Sequence, residues 1–185
     1  MPEFSLKPVH ALATAPMGRF GATDGTAPLV MTAPAEGAVL QILESGTGDI
    51  ATALAGHGNF VLRPCAPGQW FAVADAPLDP GARQKIETAL DGMADVIDQS
   101  AGRVRIVIEG EHVRAALAKG VPVDLHPDVF ETGRTATTLC GHVTINLTRT
   151  DGDRFEILVM RSYAAALWES LIEMGLEYGI DCHHL

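Results

Sequence analysis

The strongest structural signal in the chain is an unbroken alternation of apolar and polar residues from position 142 to position 148. Val143, Ile145 and Leu147 fall on one side of an extended strand, because successive side chains of a strand point to opposite faces. Asp151-Gly152 then suits a tight turn, and a second alternating segment follows at residues 154–160. The pattern predicts an antiparallel hairpin whose outward side chains are His142, Thr144, Asn146 and Thr148.

The other periodic segments repeat a similar order of elements twice. Strands are predicted at residues 39–43, 60–63, 70–73 and 103–108, and helices at 49–55, 79–92, 111–119 and after Ser162. Asp79 is expected to cap its helix, with Pro80 at the first helical position. This order predicts an α+β fold made of two split βαβ-like halves, with mainly antiparallel sheet and helices packed on it.

The domain is expected to span residues 36–180, with halves at about 36–100 and 101–180. Before it, residues 1–35 hold five of the 11 prolines and are predicted to form an extended arm with one short strand at 29–32. The arm is too apolar for a solvated tail, so we expect it to lie on its own domain or on a neighbour. Residues 181–185 are predicted to be a frayed tail.

Composition and charge argue against several functional classes. The 185 residues are 47% hydrophobic, which is too apolar for a disordered chain. The 23 acidic and 13 basic residues give a net charge of −10, which disfavours nucleic acid and anionic membranes as partners. No apolar run approaches the roughly 18 residues that span a bilayer. The three cysteines form neither a disulfide framework nor a zinc knuckle and predict a reducing, cytoplasmic setting.

Residues 46–51 have the spacing of a dinucleotide-binding fingerprint. Gly46-Thr47-Gly48-Asp49-Ile50-Ala51 spells G-x-G-x-x-A between a predicted strand and a predicted helix. However, no acidic residue follows about 20 positions later, and Asp49 would place a negative charge where a pyrophosphate binds. We interpret the segment as the turn that begins a helix, and a nucleotide-binding module is the remote alternative.

Three further groups of reactive side chains are candidates for chemistry. Cys140 and His142 are two apart on a predicted strand, where they could form a thiolate–imidazole pair. Asp124 could orient His126 as a base, or clamp the loop through its backbone. Cys182-His183-His184 has metal-binding atoms without further donors at zinc spacing. The structural interpretation is favoured each time, so the residues alone predict no catalytic, cofactor-binding or metal-binding residue.

Five segments carry a resemblance to a known family. They are residues 68–73 (GQWFAV), 98–103 (DQSAGR), 116–127 (ALAKGVPVDLHP), 155–163 (FEILVMRSY) and 166–171 (ALWESL). In this order, they resemble the γ subunit of heterotetrameric sarcosine oxidase over about residues 65–178. The run that ends in DLHP is the most specific piece.

The resemblance implies a small subunit without a redox cofactor of its own. The family's complex oxidises sarcosine to glycine and forms hydrogen peroxide, and the methyl carbon leaves as methylene-tetrahydrofolate or formaldehyde. FAD, FMN, NAD, tetrahydrofolate and zinc are then expected on the α, β and δ partner subunits. The resemblance also implies the fold of the folate-binding domain of the glycine-cleavage T-protein, an aminomethyltransferase, which agrees with the duplicated α+β pattern.

One departure from the aminomethyltransferases matters for function. Those enzymes carry a GG-x-x-D-type segment whose carboxylate works at the folate, whereas residues 140–146 here read CGHVTIN, without an acid. We therefore expect a non-catalytic structural subunit, with a free-standing folate- or pterin-binding protein of the aminomethyltransferase type as the alternative. The candidate residues for a subunit interface are Trp70, His126, His142, Asn146 and Trp168.

Overall fold

The computed structural model describes residues 9–23 and 28–184, and this part of the chain contains eleven strands and four α-helices. The strands are β1 (Gly18–Phe20), β2 (Leu29–Ala33), β3 (Ala38–Glu44), β4 (Val61–Ala66), β5 (Gln69–Ala74), β6 (Ala94–Asp98), β7 (Arg103–Glu109), β8 (Thr135–Cys140), β9 (Val143–Asp151), β10 (Arg154–Met160) and β11 (Ile180–His184). The helices are α1 (Ile50–Leu54), α2 (Ala82–Ala89), α3 (Val113–Leu117) and α4 (Ala164–Gly175). Among the described residues, no helix is long and apolar enough to cross a membrane.

Seven strands form a large sheet in the order β1-β11-β2-β7-β10-β9-β8. Its neighbours are antiparallel except β2 and β11, which run parallel from the Leu29–Ile180 pair to the Ala33–His184 pair. β9 and β10 form the hairpin that the alternation predicts, so that prediction is confirmed.

A smaller antiparallel sheet has the order β4-β5-β3-β6 and lies within residues 38–98. One face of the large sheet packs on α3 and α4, for example through Ile106 and Trp168. The outer face of the small sheet packs on α1 and α2, for example through Leu40 and Leu90. The two remaining faces meet through Val39, Phe71, Val73 and Leu158. The molecule therefore has the layers helix–sheet–sheet–helix, and the predicted α+β class with mainly antiparallel sheets is confirmed.

The described part of the predicted arm belongs to the large sheet and its core. β1 and β2 are strands of that sheet, Leu12 is fully buried, and the indole N–H of Trp168 donates a hydrogen bond of 2.9 Å to the carbonyl of Pro16. Of the two positions expected for the arm, residues 9–23 and 28–35 occupy the one on the chain's own domain, because their apolar side chains complete its core, and the short strand expected at 29–32 is β2. Residues 1–8 and 24–27 lie outside the described residues.

The C-terminal segment is a strand, so the prediction of a frayed tail is wrong for residues 181–184. β11 lies between β1 and β2 and hydrogen-bonds to both. Its alternate side chains Ile180 and Cys182 are buried in the core, which is the physical reason for its order. Leu185 lies outside the described residues.

Helix α2 begins later than the sequence predicts. The N–H of Ala82 donates to the Asp79 carbonyl at 2.9 Å, so Pro80 and Gly81 are the central residues of a turn that precedes the helix. Gly81 has φ +82°, which suits the third position of a type II turn after proline. The cap position is therefore Gly81, and the prediction that Asp79 caps this helix is wrong.

Candidate functional site

Four charged side chains link the two sheets in the described part of the chain. We call them the inter-sheet ion cluster, which consists of the largely buried Arg63 on β4, Arg105 on β7 and Glu156 on β10, together with the exposed Asp75 after β5. Glu156 Oε1 lies 2.8 Å from Arg63 Nη1 and accepts a 2.7 Å hydrogen bond from Arg105 Nε. Glu156 Oε2 accepts a 3.0 Å bond from Arg105 Nη2, which also donates to Asp75 Oδ1 at 2.6 Å. The cluster ties the small sheet to the large sheet.

The position of these residues follows from strand alternation. Arg105 lies between Val104 and Ile106, whose side chains face the helices, so its own side chain faces the small sheet. Glu156 has the same relation to Phe155 and Ile157 on β10. Both charged side chains therefore lie on a sheet face that a second layer covers.

Opposite charge keeps the buried carboxylate ionised. Burial of Glu156 would raise its pKa, but the hydrogen bonds from Arg105 and the positive charge of Arg63 outweigh burial and hold the pKa below its usual value. Burial alone would lower the pKa of Arg105, but its bonds to Glu156 and Asp75 raise it instead. Both oxygens of Glu156 are committed to arginine, so this carboxylate is unsuited to general acid–base catalysis.

Asn146 provides a second polar link between the sheets. Its Nδ2 donates to the Pro64 carbonyl at 2.9 Å and to Thr137 Oγ1 at 3.1 Å. Asn146 and Thr148 are both buried, so the prediction that they face outward is wrong. The alternation itself is present, but the small sheet covers the polar face of β9.

Three polar atoms in this region have no hydrogen-bond partner among the residues that the structure describes. They are Nε and Nη1 of Arg63 and Oδ1 of Asn146. The Arg63 Nη1 contact with Glu156 is an ion pair whose angle is not that of a hydrogen bond. Arg63 thus contributes to the cluster mainly through its charge.

The glycine-rich segment at residues 46–51 begins α1, as the structural interpretation predicts. Asp49 Oδ1 accepts a 3.1 Å hydrogen bond from the Thr52 N–H, and Oδ2 accepts a 2.6 Å bond from the Thr52 hydroxyl. These bonds lower the pKa of Asp49. Because the N-terminus of α1 is capped by the chain's own carboxylate, the helix does not offer the positive end that a pyrophosphate needs.

The proposed pair of Cys140 and His142 does not share a strand. β8 ends at Cys140 and β9 begins at Val143, so Gly141 and His142 form a two-residue hairpin turn with Gly141 at φ +59°. Cys140 is buried, which raises the pKa of its thiol to about 11, whereas His142 is exposed. The prediction that both residues lie on one strand is therefore wrong.

Asp124 and His126 make local backbone contacts. Asp124 Oδ1 accepts a 2.9 Å hydrogen bond from the His126 backbone N–H, which is an Asx-type turn. The exposed imidazole accepts a 3.3 Å bond at Nδ1 from the Asp128 N–H. Asp124 therefore clamps the loop, as the structural interpretation predicts.

The C-terminal cysteine and histidines diverge along β11. Cys182 points into the core, and burial raises the pKa of its thiol to about 12. His183 Nε2 lies 3.1 Å from Asp181 Oδ1, while the His184 ring lies edge-on to His10. No group of three metal-binding side chains converges within residues 9–23 and 28–184.

The five candidate interface residues are not equivalent. Trp168 is fully buried on α4 and Asn146 is buried between the sheets. Neither side chain reaches the surface, so these two residues are withdrawn as candidates for the subunit interface. Trp70 is half-buried and donates from Nε1 to Glu44 Oε1 at 2.6 Å. His126 and His142 are exposed on loops. Only these three remain accessible to a partner.

The inter-sheet ion cluster was not found from the sequence. Its members are far apart in the chain, so no local motif unites Arg63, Arg105 and Glu156. The sequence does contain a usable signal: strands predicted in the two halves carry residues of opposite charge on their polar faces. Such a pattern would have indicated that these faces pack together.

A family model described as the sarcosine oxidase, gamma subunit family matches residues 30–177. The chain belongs to this family. The sarcosine oxidase subunit gamma of Corynebacterium sp. (strain U-96) is 27% identical over 137 residues, which are 74% of this chain and 64% of that relative. The chain thus spans less than two thirds of the length of this curated gamma subunit. The family resemblance that the sequence carries is confirmed.

Solved structures agree with the gamma-subunit family on the fold. A chain of heterotetrameric sarcosine oxidase from Corynebacterium sp. U-96 superposes with a TM-score of 0.71 at 23% identity, over 81% of this chain and 85% of that one. The glycine cleavage system aminomethyltransferase T from Bartonella henselae gives a TM-score of 0.61 at 17% identity, over 85% of this chain and 48% of that one. The predicted aminomethyltransferase-like fold is confirmed.

Proposed function

We propose that this chain is a non-catalytic, structural γ subunit of a sarcosine oxidase complex. The complex oxidises sarcosine to glycine and forms hydrogen peroxide, and the methyl carbon leaves as methylene-tetrahydrofolate or formaldehyde. Under this proposal the α, β and δ subunits are its partners and hold FAD, FMN, NAD, tetrahydrofolate and zinc. Its three unpaired cysteines support a reducing, cytoplasmic location.

One observation supports the structural role most directly: the buried polar side chains bind the chain's own groups. Among the described residues they are Arg63, Asn146, Thr148, Arg149 and Glu156. Arg149, for example, donates to the carbonyls of Phe130 and Gly152 at 2.8 and 2.9 Å. Buried polar side chains that bind the chain's own groups favour stability over chemistry, and within this set only Nε and Nη1 of Arg63 and Oδ1 of Asn146 lack a hydrogen-bond partner among the described residues.

Co-expression tests membership of the complex. The full chain and its α, β and δ subunits are produced together and purified through a tag on the α subunit, with a parallel preparation that lacks this chain. We expect the chain to co-purify in equimolar amount, and the complex without it to dissociate or lose activity. Assembly of a fully active oxidase without the chain contradicts the proposal.

Substitution of accessible reactive groups tests the absence of a catalytic role. Cys65 is half-buried and His126 is exposed, so Cys65→Ser and His126→Ala are not expected to disturb the fold. Both variants should assemble into a complex whose kcat differs by less than about twofold from that of the wild type. A large loss of kcat in a fully assembled variant complex would show that the chain takes part in the reaction.

The alternative is a free-standing folate- or pterin-binding protein of the aminomethyltransferase type, which the fold likeness to aminomethyltransferase T supports. Calorimetry of the purified chain with tetrahydrofolate separates the two. We expect no binding by the isolated chain, whereas micromolar affinity together with failure to assemble favours the alternative.

A further inference from the structure

The four edge strands of the two sheets differ in how they are protected against pairing with another chain. β1 has three residues, β4 contains Pro64, and β6 carries Asp95 and Asp98. Shortness, proline and charge are the usual devices that block an edge. β8 has six residues, TATTLC, without charge, proline or glycine. It is the unprotected edge.

The register of the β8–β9 hairpin shows which backbone groups of β8 point outward. The Arg149 N–H donates to the Arg134 carbonyl, and Cys140 pairs with Val143 across the two-residue turn. Because inward and outward residues alternate, the N–H and C=O groups of Thr135, Thr137 and Leu139 point away from β9. No backbone hydrogen bond to these groups occurs within residues 9–23 and 28–184.

Two exposed apolar side chains lie on one face of the large sheet near this edge. Leu139 on β8 is 45% exposed and pairs with exposed Thr144 on β9. Met160, which is 46% exposed, ends β10 one residue beyond the Val159–Ile145 pair. Both side chains lie on the face that the small sheet covers elsewhere, because Asn146 and Leu158 of the same face are buried. Leu139 therefore presents an exposed apolar side chain at the free edge itself, and Met160 lies two strands away on the same face.

We propose that β8 is a docking edge, at which an extended segment of a partner subunit adds a strand to the large sheet. This inference rests on the proposed function. The outward N–H and C=O groups of β8 recur at every second residue, about 7 Å apart. An extended peptide backbone presents donors and acceptors with the same repeat, so it can pair with this edge. The partner segment carries an uncharged, apolar side chain that packs against the exposed Leu139.

Charge favours a different subunit over a second copy of this chain as the occupant. Each copy carries a net charge of −10, so two copies repel each other at the distances that strand pairing requires. A partner subunit without a large negative charge meets no such repulsion at the neutral β8 edge.

Two lysine substitutions test the edge in the co-expressed complex. Leu139→Lys places a charge on β8, and Val129→Lys makes the same change at a loop residue of similar exposure, 43%. Both isolated variants should melt within a few degrees of the wild type. We expect Leu139→Lys to weaken association with the other subunits roughly tenfold or more, and Val129→Lys to leave it unchanged. Equal association of Leu139→Lys and wild type overturns the proposal.

Hydrogen exchange checks the backbone contacts without a substitution. The outward amides of Thr135, Thr137 and Leu139 should exchange freely in the isolated chain and at least roughly tenfold more slowly in the complex. Protection already present in the isolated chain means that a second copy or residues 1–8 cover the edge, which overturns the inference. Unchanged exchange in an assembled complex refutes the docking edge alone, whereas failure of the wild type to assemble refutes the proposed function as well.

Discussion

Replacement of Glu156 by glutamine should destabilise the chain strongly, because the side chain is the one anion that two buried arginines share. Glu156 is 5% exposed and contacts Arg63 and Arg105 at 2.7 to 3.0 Å. Glutamine keeps the shape and one acceptor but removes the charge. Arg105 retains Asp75, whereas Arg63 loses its only recorded ion pair in the described structure.

The size of the effect follows from burial. Removal of one partner from a buried ion pair leaves an uncompensated charge and typically costs about 3–5 kcal/mol. For a chain of this length, each kcal/mol lowers the melting temperature by roughly 2–4 °C, so we expect a decrease of about 6–20 °C. Replacement of the three buried ions by apolar residues (Arg63→Met, Arg105→Leu, Glu156→Leu) should restore most of the loss, since no buried unpaired charge then remains and Asp75 is exposed to water.

Urea unfolding followed by tryptophan fluorescence measures these free energies. Trp70 reports on the small sheet and Trp168 on the layer that packs against the large sheet. Glu109→Gln is the matched control, because the Glu109–Arg154 pair is 37% and 41% exposed and should contribute about 0–1 kcal/mol. The reasoning fails if Glu156→Gln lowers the unfolding free energy no more than this control does.

The same carboxylate predicts a pH dependence. Its pKa lies below the ordinary value of 4.5 in the folded chain, despite burial, because of Arg105 and Arg63. The stability that its ionised form contributes is therefore complete above about pH 4.5 and is lost as the pH falls through the lowered folded-state pKa. The difference in unfolding free energy between the wild type and Glu156→Gln should shrink in that acidic range, and a constant difference down to low pH would contradict this origin.

Two further predictions concern the packing of the core. Trp168→Phe removes the hydrogen bond to the Pro16 carbonyl, so the unfolding free energy should fall by at least about 1 kcal/mol and trypsin should cleave the N-terminal segment faster; equal cleavage of variant and wild type would argue against this anchor. At pH 8, Ellman's reagent should label Cys65 in the native chain well before Cys140 and Cys182, whose burial raises their pKa values to about 11 and 12. Equal rates for all three thiols would show that the core opens readily.

Elements with a local signature were predictable from the sequence. The β9–β10 hairpin follows from alternation and Asp151-Gly152, and the start of α1 follows from Asp49. β6 and β11 escaped prediction because each has only five residues and little apolar pattern: Asp95 and Asp98 interrupt β6, and Asp181 and His183 alternate with the apolar residues of β11. Their order comes from neighbouring strands that lie far away in the sequence.

The polar interior could not be predicted for a related reason. Alternation identifies the two faces of a strand but does not say whether the polar face meets water or a second sheet. Asn146 was assigned to solvent, and its main partner, the Pro64 carbonyl, lies 82 positions away in the chain. A pairing across that separation leaves no trace in the local pattern, so the candidate site emerged only from the tertiary structure.

The position of β11 between β1 and β2 has a consequence for biosynthesis. Residues 38–98 contain every strand of the small sheet, so this unit has all its partners soon after it leaves the ribosome. β1, in contrast, is hydrogen-bonded to the large sheet only through β11, and residues 180–184 are translated more than 150 codons after β1. The β1 side of the large sheet can therefore form only after residues 180–184 have been translated.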